Sequence, residues 1–328
     1  MGPLLSMGDV LRAHARVHPE RLGARDLSRS MTFRQWNARA CRLANALLGF
    51  GLHKGDRLAV LAYNCVEWME IYAAAAKAGL LAVPINFRLV GREIRFIVEN
   101  CGARALIVQD DLLGPIEEIR ADLPVENGKF IHFGGTATAP GYAAYEDIIA
   151  NARDTEPCDT EPCAAGVLAK DVWTLMYTSG TTGAPKGAIR SHSAGAVMSL
   201  VTAIELGFSR ADSALLAMPM CHANSLYFAA ALTYCGGLCS VYSRKSFDPE
   251  HFLRTIAAGG ETFTSLVPTH YMMMLGLPAA VRERCETGRV TKLMISSAPA
   301  RPDTSAPSWN ASGTRGCSSS MARPRPAG

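Results

Sequence analysis

The sequence predicts an α/β fold of two α/β subdomains with mainly parallel sheets. Three observations predict it. Short apolar runs of strand length alternate with helical patterns along most of the chain. The intervals between strand runs leave room for the crossover helices that parallel neighbours require. With 328 residues the chain exceeds the roughly 250–300 that one core sustains, so more than one subdomain is expected.

Each element has a local reason. Thr32 to Phe50 reads as a helix: Thr32 and Gln35 stand at capping-box spacing, and Phe33, Trp36, Ala40, Leu43 and Leu47 share one face. Gly49 and Gly51 end it. Lys54-Gly55-Asp56 turns into a strand, Arg57–Leu61. Glu67 to Lys77 is an alanine-rich helix closed by Gly79, with Lys77 expected as an ordinary solvated charge, like Arg88 further on. Leu81–Val83 is a strand stopped by Pro84. Gly91–Asn100 reads as a helix and Ala105–Val108 as a strand.

Residues 151–166 carry a tandem pentapeptide, DTEPC twice, ending in Cys158 and Cys163. It reads as a solvent-exposed linker between two halves, because neighbouring residues offer no further zinc ligands. Beyond it the alternation resumes. Strands are expected at Val172–Met176, Ala214–Met218, Leu238–Tyr242, Thr262–Val267 and Val290–Ile295. Helices are expected at Ser193–Glu205, Ser225–Tyr234, Pro249–Ala258 and Pro268–Leu275. In the last of these, Met272-Met273-Met274 suits core packing better than a flexible ligand wall.

Composition narrows the function classes. A net charge of +4 is too mild to argue for a nucleic-acid or membrane partner. No apolar run is long enough for an integral membrane segment, and no signal-peptide pattern opens the sequence, so a cytoplasmic protein is expected. Its ten cysteines then read as reduced thiols, with Cys41, Cys65, Cys101 and Cys285 packed as small apolar groups.

The chemistry concentrates at Tyr177-Thr178-Ser179-Gly180-Thr181-Thr182-Gly183-Ala184-Pro185-Lys186-Gly187. Glycines let backbone N–H groups approach an anion, hydroxyls donate further hydrogen bonds, and Lys186 adds a mobile positive charge. A strand, this loop and then a helix form a phosphate holder. It is not a Walker A loop: Pro185 precedes the lysine, and Gly187 stands where Ser or Thr should ligate magnesium.

The unbroken string YTSGTTGAPKG resembles the phosphate-loop signature of the adenylate-forming, or AMP-binding, enzymes: acyl-CoA synthetases, aryl-CoA ligases, luciferases and peptide-synthetase adenylation domains. Other segments resemble that family in the same order. They are Met31–Trp36, the run from Lys77-Ala78-Gly79 to Pro84-Ile85-Asn86, Met218-Pro219-Met220-Cys221-His222, and Ser296-Ser297-Ala298-Pro299. The resemblance spans roughly residues 5–300.

It implies the large N-terminal AMP-binding domain, and a reaction in which a carboxylate attacks the α-phosphorus of ATP before a thiol, usually coenzyme A, displaces AMP. On this resemblance Thr178, Ser179, Gly180, Thr181, Thr182, Gly183 and Lys186 bind the triphosphate, with Mg²⁺. Ser297, Ala298 and Pro299 hold adenine. His222 lines the acyl and thiol approach, with Ala223, Asn224, Leu226 and Phe228 shaping the acyl pocket. A fatty or related lipophilic acid is the expected substrate. A non-catalytic ATP- or acyl-binding fragment is the alternative.

After Ala300 the resemblance stops. Residues 301–328 are rich in Ser, Pro, Arg, Ala and Gly and read as a disordered tail beside an incomplete domain at 1–300. The family's Y-G-x-T-E segment, ribose-binding Asp and C-terminal lysine domain are missing from the sequence. Permitted codons for Cys317 through Ala327, read one base earlier, decode to a string containing Y-G-S-T-E. A frameshift near the Ala300–Ser305 codons is therefore expected, and with it a truncated, inactive ligase. The nucleotide sequence across those codons tests this.

Overall fold

The computed structural model describes residues 6–157, 166–178, 185–285 and 287–296. Helix α1 (Met7–Val17) precedes a hairpin of β1 (Leu22–Arg25) and β2 (Ser30–Thr32). Next come α2 (Phe33–Gly49), β3 (Arg57–Leu61), α3 (Glu67–Ala78), β4 (Leu81–Ile85), α4 (Gly91–Cys101) and β5 (Ala103–Gln109). The short elements α5 (Leu113–Glu117), β6 (Phe130–Phe133), β7 (Ala143–Ala144) and α6 (Tyr145–Ala150) lead to the pentapeptide segment. Beyond it run β8 (Val172–Thr178), β9 (Lys186–Ser191), α7 (His192–Glu205), β10 (Ser213–Leu216), α8 (Ala223–Cys235) and β11 (Leu238–Val241). The described chain closes with α9 (Pro249–Gly259), β12 (Phe263–Leu266), α10 (Pro268–Leu275), α11 (Ala279–Glu283) and β13 (Lys292–Ile295).

Local chemistry sets the boundaries. Thr32 Oγ1 accepts from Gln35 N at 3.2 Å and Gln35 Oε1 accepts from Thr32 N at 2.9 Å, so the expected capping box opens α2. Gly79 closes α3 at φ +67°; a Cβ there would be strained and would lie 3.0 Å from Lys54 Cγ.

The strands form two mixed sheets. One has the order β13-β12-β10-β11-β1-β2, the other β7-β6-β5-β3-β4-β8-β9. Pairing is parallel throughout except for β1 with β2 and β8 with β9. Alternation along each strand feeds two faces. Leu58 and Val60 of β3 join one core with residues of α2, α3 and α8 and with Ala214 and Leu216 of the opposite sheet. Ala59 and Leu61 face the other way, into a core with α4 and α5. A third core under α9 and α10 takes Leu215 and Leu266. The helices α2, α3 and α8 thus lie between the two sheets.

This corrects the reading of two halves joined by a linker. The N-terminal hairpin joins the later sheet, with Ala24 opposite Cys239 of β11, while β8 and β9 from beyond the pentapeptides complete the earlier sheet. Both sheets draw on both sides of the segment. Nor is its described start a solvated linker. Asn45 Nδ2 donates to the carbonyls of Arg153 and Thr155, at 2.8 and 2.9 Å, and Glu156 pairs with Lys77 at 2.7 Å. Lys77, expected in solvent, is buried. Cys158 and Cys163 lie outside the described residues, as does the expected boundary at residue 300.

Two further differences have simple causes. Strand β4 runs through Pro84 to Ile85, with Pro84 opposite Val60. It meets β8 at Ala82 and Thr174, before the missing N–H matters. Of the three methionines in α10, Met274 is buried while Met272 and Met273 are exposed, so core packing accounts for one of them.

Candidate active site

The phosphate-loop segment does not run from strand to helix. Its arms, β8 and β9, form an antiparallel hairpin in which Thr178 stands opposite Lys186 and Tyr177 opposite Gly187. The helix expected at Ser193–Glu205 is present as α7, His192–Glu205, but six unexpected strand residues, Lys186–Ser191, separate it from the loop. Polar, exposed KGAIRS carries little alternation, which is why the sequence concealed it. Thr178 and Lys186 are exposed at the mouth of the loop. Tyr177 anchors the base by donating to Asn100 Oδ1 at 2.5 Å. Gly187 packs under Leu175, whose Cδ1 would have to shift to admit a Cβ there, 2.8 Å away. Ser179, Gly180, Thr181, Thr182 and Gly183 lie outside the described residues.

The Met218–His222 segment follows β10 at its carboxyl end. Asn64, just past β3, holds it. Its Nδ2 donates to the carbonyls of Ala217 and Met218, at 3.3 and 3.1 Å, and its Oδ1 accepts from Met220 N at 2.8 Å. Ser225 Oγ donates to Met218 O at 2.6 Å, and Tyr72 OH to Met220 O at 2.9 Å. The turn delivers His222 to the N-cap of α8, where its side chain makes no capping bond. Asn86, the first residue after β4, brings Nδ2 to 3.5 Å from His222 Nε2.

Sequence reasoning missed Asn64 as a partner of this segment. The available signal was position: both asparagines follow parallel strands at their carboxyl ends, where open α/β sheets bind ligands.

Asn64, Met218, Pro219 and His222 border a cleft of about 280 Å³ between the ends of the two sheets, lined also by Arg88, Arg244, Lys245, Phe247 and His270. The His270 ring stacks on Phe247 with centroids 3.9 Å apart. Burial, then the Arg88 guanidinium, pushes the pKa values of His222 and His270 below the ordinary imidazole value. Both are therefore neutral near pH 7, and His222 can accept a proton.

The third expected cluster is reached through its neighbour. Ser297, Ala298 and Pro299 lie outside the described residues, but Ser296 is described. Asn224 Nδ2 donates to Ser296 Oγ at 2.6 Å and to Ser265 Oγ at 3.1 Å. The chain therefore leaves β13 beside the first turn of α8, two residues from His222. Arg190 of β9 lies 3.9 Å over the Tyr227 ring, which connects the phosphate hairpin to the same helix. Among the described residues no three His, Cys, Asp or Glu side chains converge on a metal position. The described residues therefore offer no cluster of side chains to hold the Mg²⁺ that the resemblance implies. No described helix is long and apolar enough to cross a membrane.

A family model described as AMP-binding enzyme matches residues 11–315. The chain belongs to this family. It is 31% identical over 291 residues to a medium-chain-fatty-acid–CoA ligase of Ectopseudomonas oleovorans, covering 84% of this chain and 51% of that one. Its fold matches the anthranilate CoA ligase AuaEII in complex with anthranoyl-AMP, with TM-score 0.88 and 25% identity over 96% of this chain and 59% of that one. The N-terminal domain of FACL13 from Mycobacterium tuberculosis matches with TM-score 0.81 and 25% identity, over 95% and 74% of the two chains. The chain spans about half the length of the curated relatives it matches. The curated relatives matched here include ligases named for fatty acids and coenzyme A and a feruloyl-CoA synthase.

Proposed function

We propose that this chain carries the nucleotide-gripping and thiol-approach portion of an AMP-forming carboxylate–CoA ligase. In the first step a carboxylate oxygen attacks the α-phosphorus of ATP and pyrophosphate leaves. In the second a thiol of coenzyme A attacks the acyl carbon and AMP leaves. The observation that carries this reading is the register of the β8–β9 hairpin: Thr178 and Lys186 face each other at the mouth of a loop rich in glycine and hydroxyls. Charge gathers on the phosphates in the first step, and a preorganised cation and donors lower its barrier. Lys186 opposes that charge, Thr178 and the loop hydroxyls donate to phosphate oxygens, and residues 297–299 hold adenine.

His222 lines the path of the thiol. Its neutral imidazole can take the thiol proton, and the cleft's cations Arg88, Arg244 and Lys245 suit a phosphate-bearing thiol. A fatty or related lipophilic acid is our substrate assignment. It is supported by the name of the Ectopseudomonas relative and opposed by the anthranilate specificity named for AuaEII. A second reading is a non-catalytic ATP- or acyl-binding fragment.

Calorimetric titration with ATP, paired with an assay of AMP release in the presence of fatty acids and coenzyme A, separates the two. Binding with release supports a ligase. Binding without release supports the fragment. Absence of nucleotide binding overturns the ligase reading and the ATP-binding form of the fragment.

A further inference from the structure

The hydrogen bonds at the start of α8 do more than close the helix. Asn224 stands in its first turn, two residues past His222. Its amide donates at once to Ser265, on β12, and to Ser296, just past β13. The two hydroxyls lie 3.3 Å apart, and Ser265 is buried. Ser296 is further tied to β12 by its N–H, which donates to Leu266 O at 3.1 Å. One side chain thus fixes the spacing between the helix start that presents His222 and the strand end from which residues 297–299 depart. On the other side, Asn64 fixes the turn that leads into His222.

A ligase of the proposed kind must keep two groups in register: the adenylate, held through its base, and the thiol that attacks it. Small displacements between reacting groups lower rates steeply. We infer that Asn224 is a positioning residue that couples occupancy of the nucleotide segment to the placement of His222. The inference rests on the functional reading above and adds a residue that touches neither nucleotide nor thiol. A polar partner is needed here because the two hydroxyls must otherwise satisfy each other in a mostly buried setting. A carboxylate of the same shape could replace it by accepting from both hydroxyls. A leucine could do neither.

The test uses the 328-residue chain with AMP as probe. It follows AMP affinity by calorimetry and the His222 imidazole signal by NMR, assigned with His222→Gln. In the unaltered chain AMP moves the His222 signal. Asn224→Leu is expected to abolish that movement and weaken AMP about tenfold. Ser296→Ala gives the same direction with less effect, and Asn224→Asp restores the His222 response. Should Asn224→Leu lower only the melting temperature, with the AMP affinity and the His222 response intact, the residue is merely structural and the inference is overturned. Failure of AMP to bind the folded, unaltered chain overturns the functional reading itself.

Discussion

Lys77 and Glu156 form an ion pair, with Nζ 2.7 Å from Oε2 and side chains only 2% and 11% exposed. The lysine lies in the last turn of the alanine-rich helix α3, and the glutamate comes from the first DTEPC pentapeptide. Asn37 Nδ2 also donates to Glu156 Oε1, at 3.1 Å. The pair clamps the pentapeptide segment onto the central helices. Glu156→Ala leaves a buried ammonium without its counter-charge and is expected to cost about 3–5 kcal/mol, read from urea denaturation. The double variant Lys77→Met, Glu156→Leu is expected to recover most of that loss. Equal destabilisation by both variants would mean that the charges do not matter.

His192 gives the chain a pH-dependent stability. Its ring is buried against Trp173, with both nitrogens unpartnered, and burial pushes its pKa down to about 4. An unfolded histidine titrates near 6.5. Below that pH the unfolded chain takes up a proton that the folded chain refuses. The stabilisation is therefore full above about pH 6.5 and declines as pH falls toward about 4. Between pH 7.5 and 5 the loss from this group is about 2 kcal/mol. Urea midpoints at the two pH values check it: His192→Phe is expected to flatten the difference by about that amount.

Asn64→Ala removes three hydrogen bonds from the turn that leads to His222. It is expected to cost about 1–3 kcal/mol, because buried backbone groups lose their partners. It should also move the His222 imidazole signal in NMR spectra. A melting shift with an unmoved His222 would assign Asn64 to stability alone.

Much of the architecture was legible because local signals agreed with tertiary demand. The Thr32–Gln35 cap, the apolar run of Arg57–Leu61 after its glycine turn and the proline start of Pro268–Leu275 each carry their own physics. Three things were hidden. Strands β1 and β2 are short, and β1 finds its partner β11 more than two hundred residues away. Strand β9 is exposed and pairs only through backbone. Lys77 reads as a surface charge because its partner sits in a segment of linker-like composition.

At the site, the phosphate-loop residues and His222 were legible as motifs. Asn64 was not, because a single asparagine at a strand end matters only once the fold brings β3 beside β10.

The central claim is that the β8–β9 hairpin grips the ATP phosphates through Lys186. Calorimetric titration of ATP into the chain and into its Lys186→Ala variant tests it most directly. The account predicts measurable affinity in the first and a loss of tenfold or more in the second, about 1.4 kcal/mol. Equal affinity in both would contradict it.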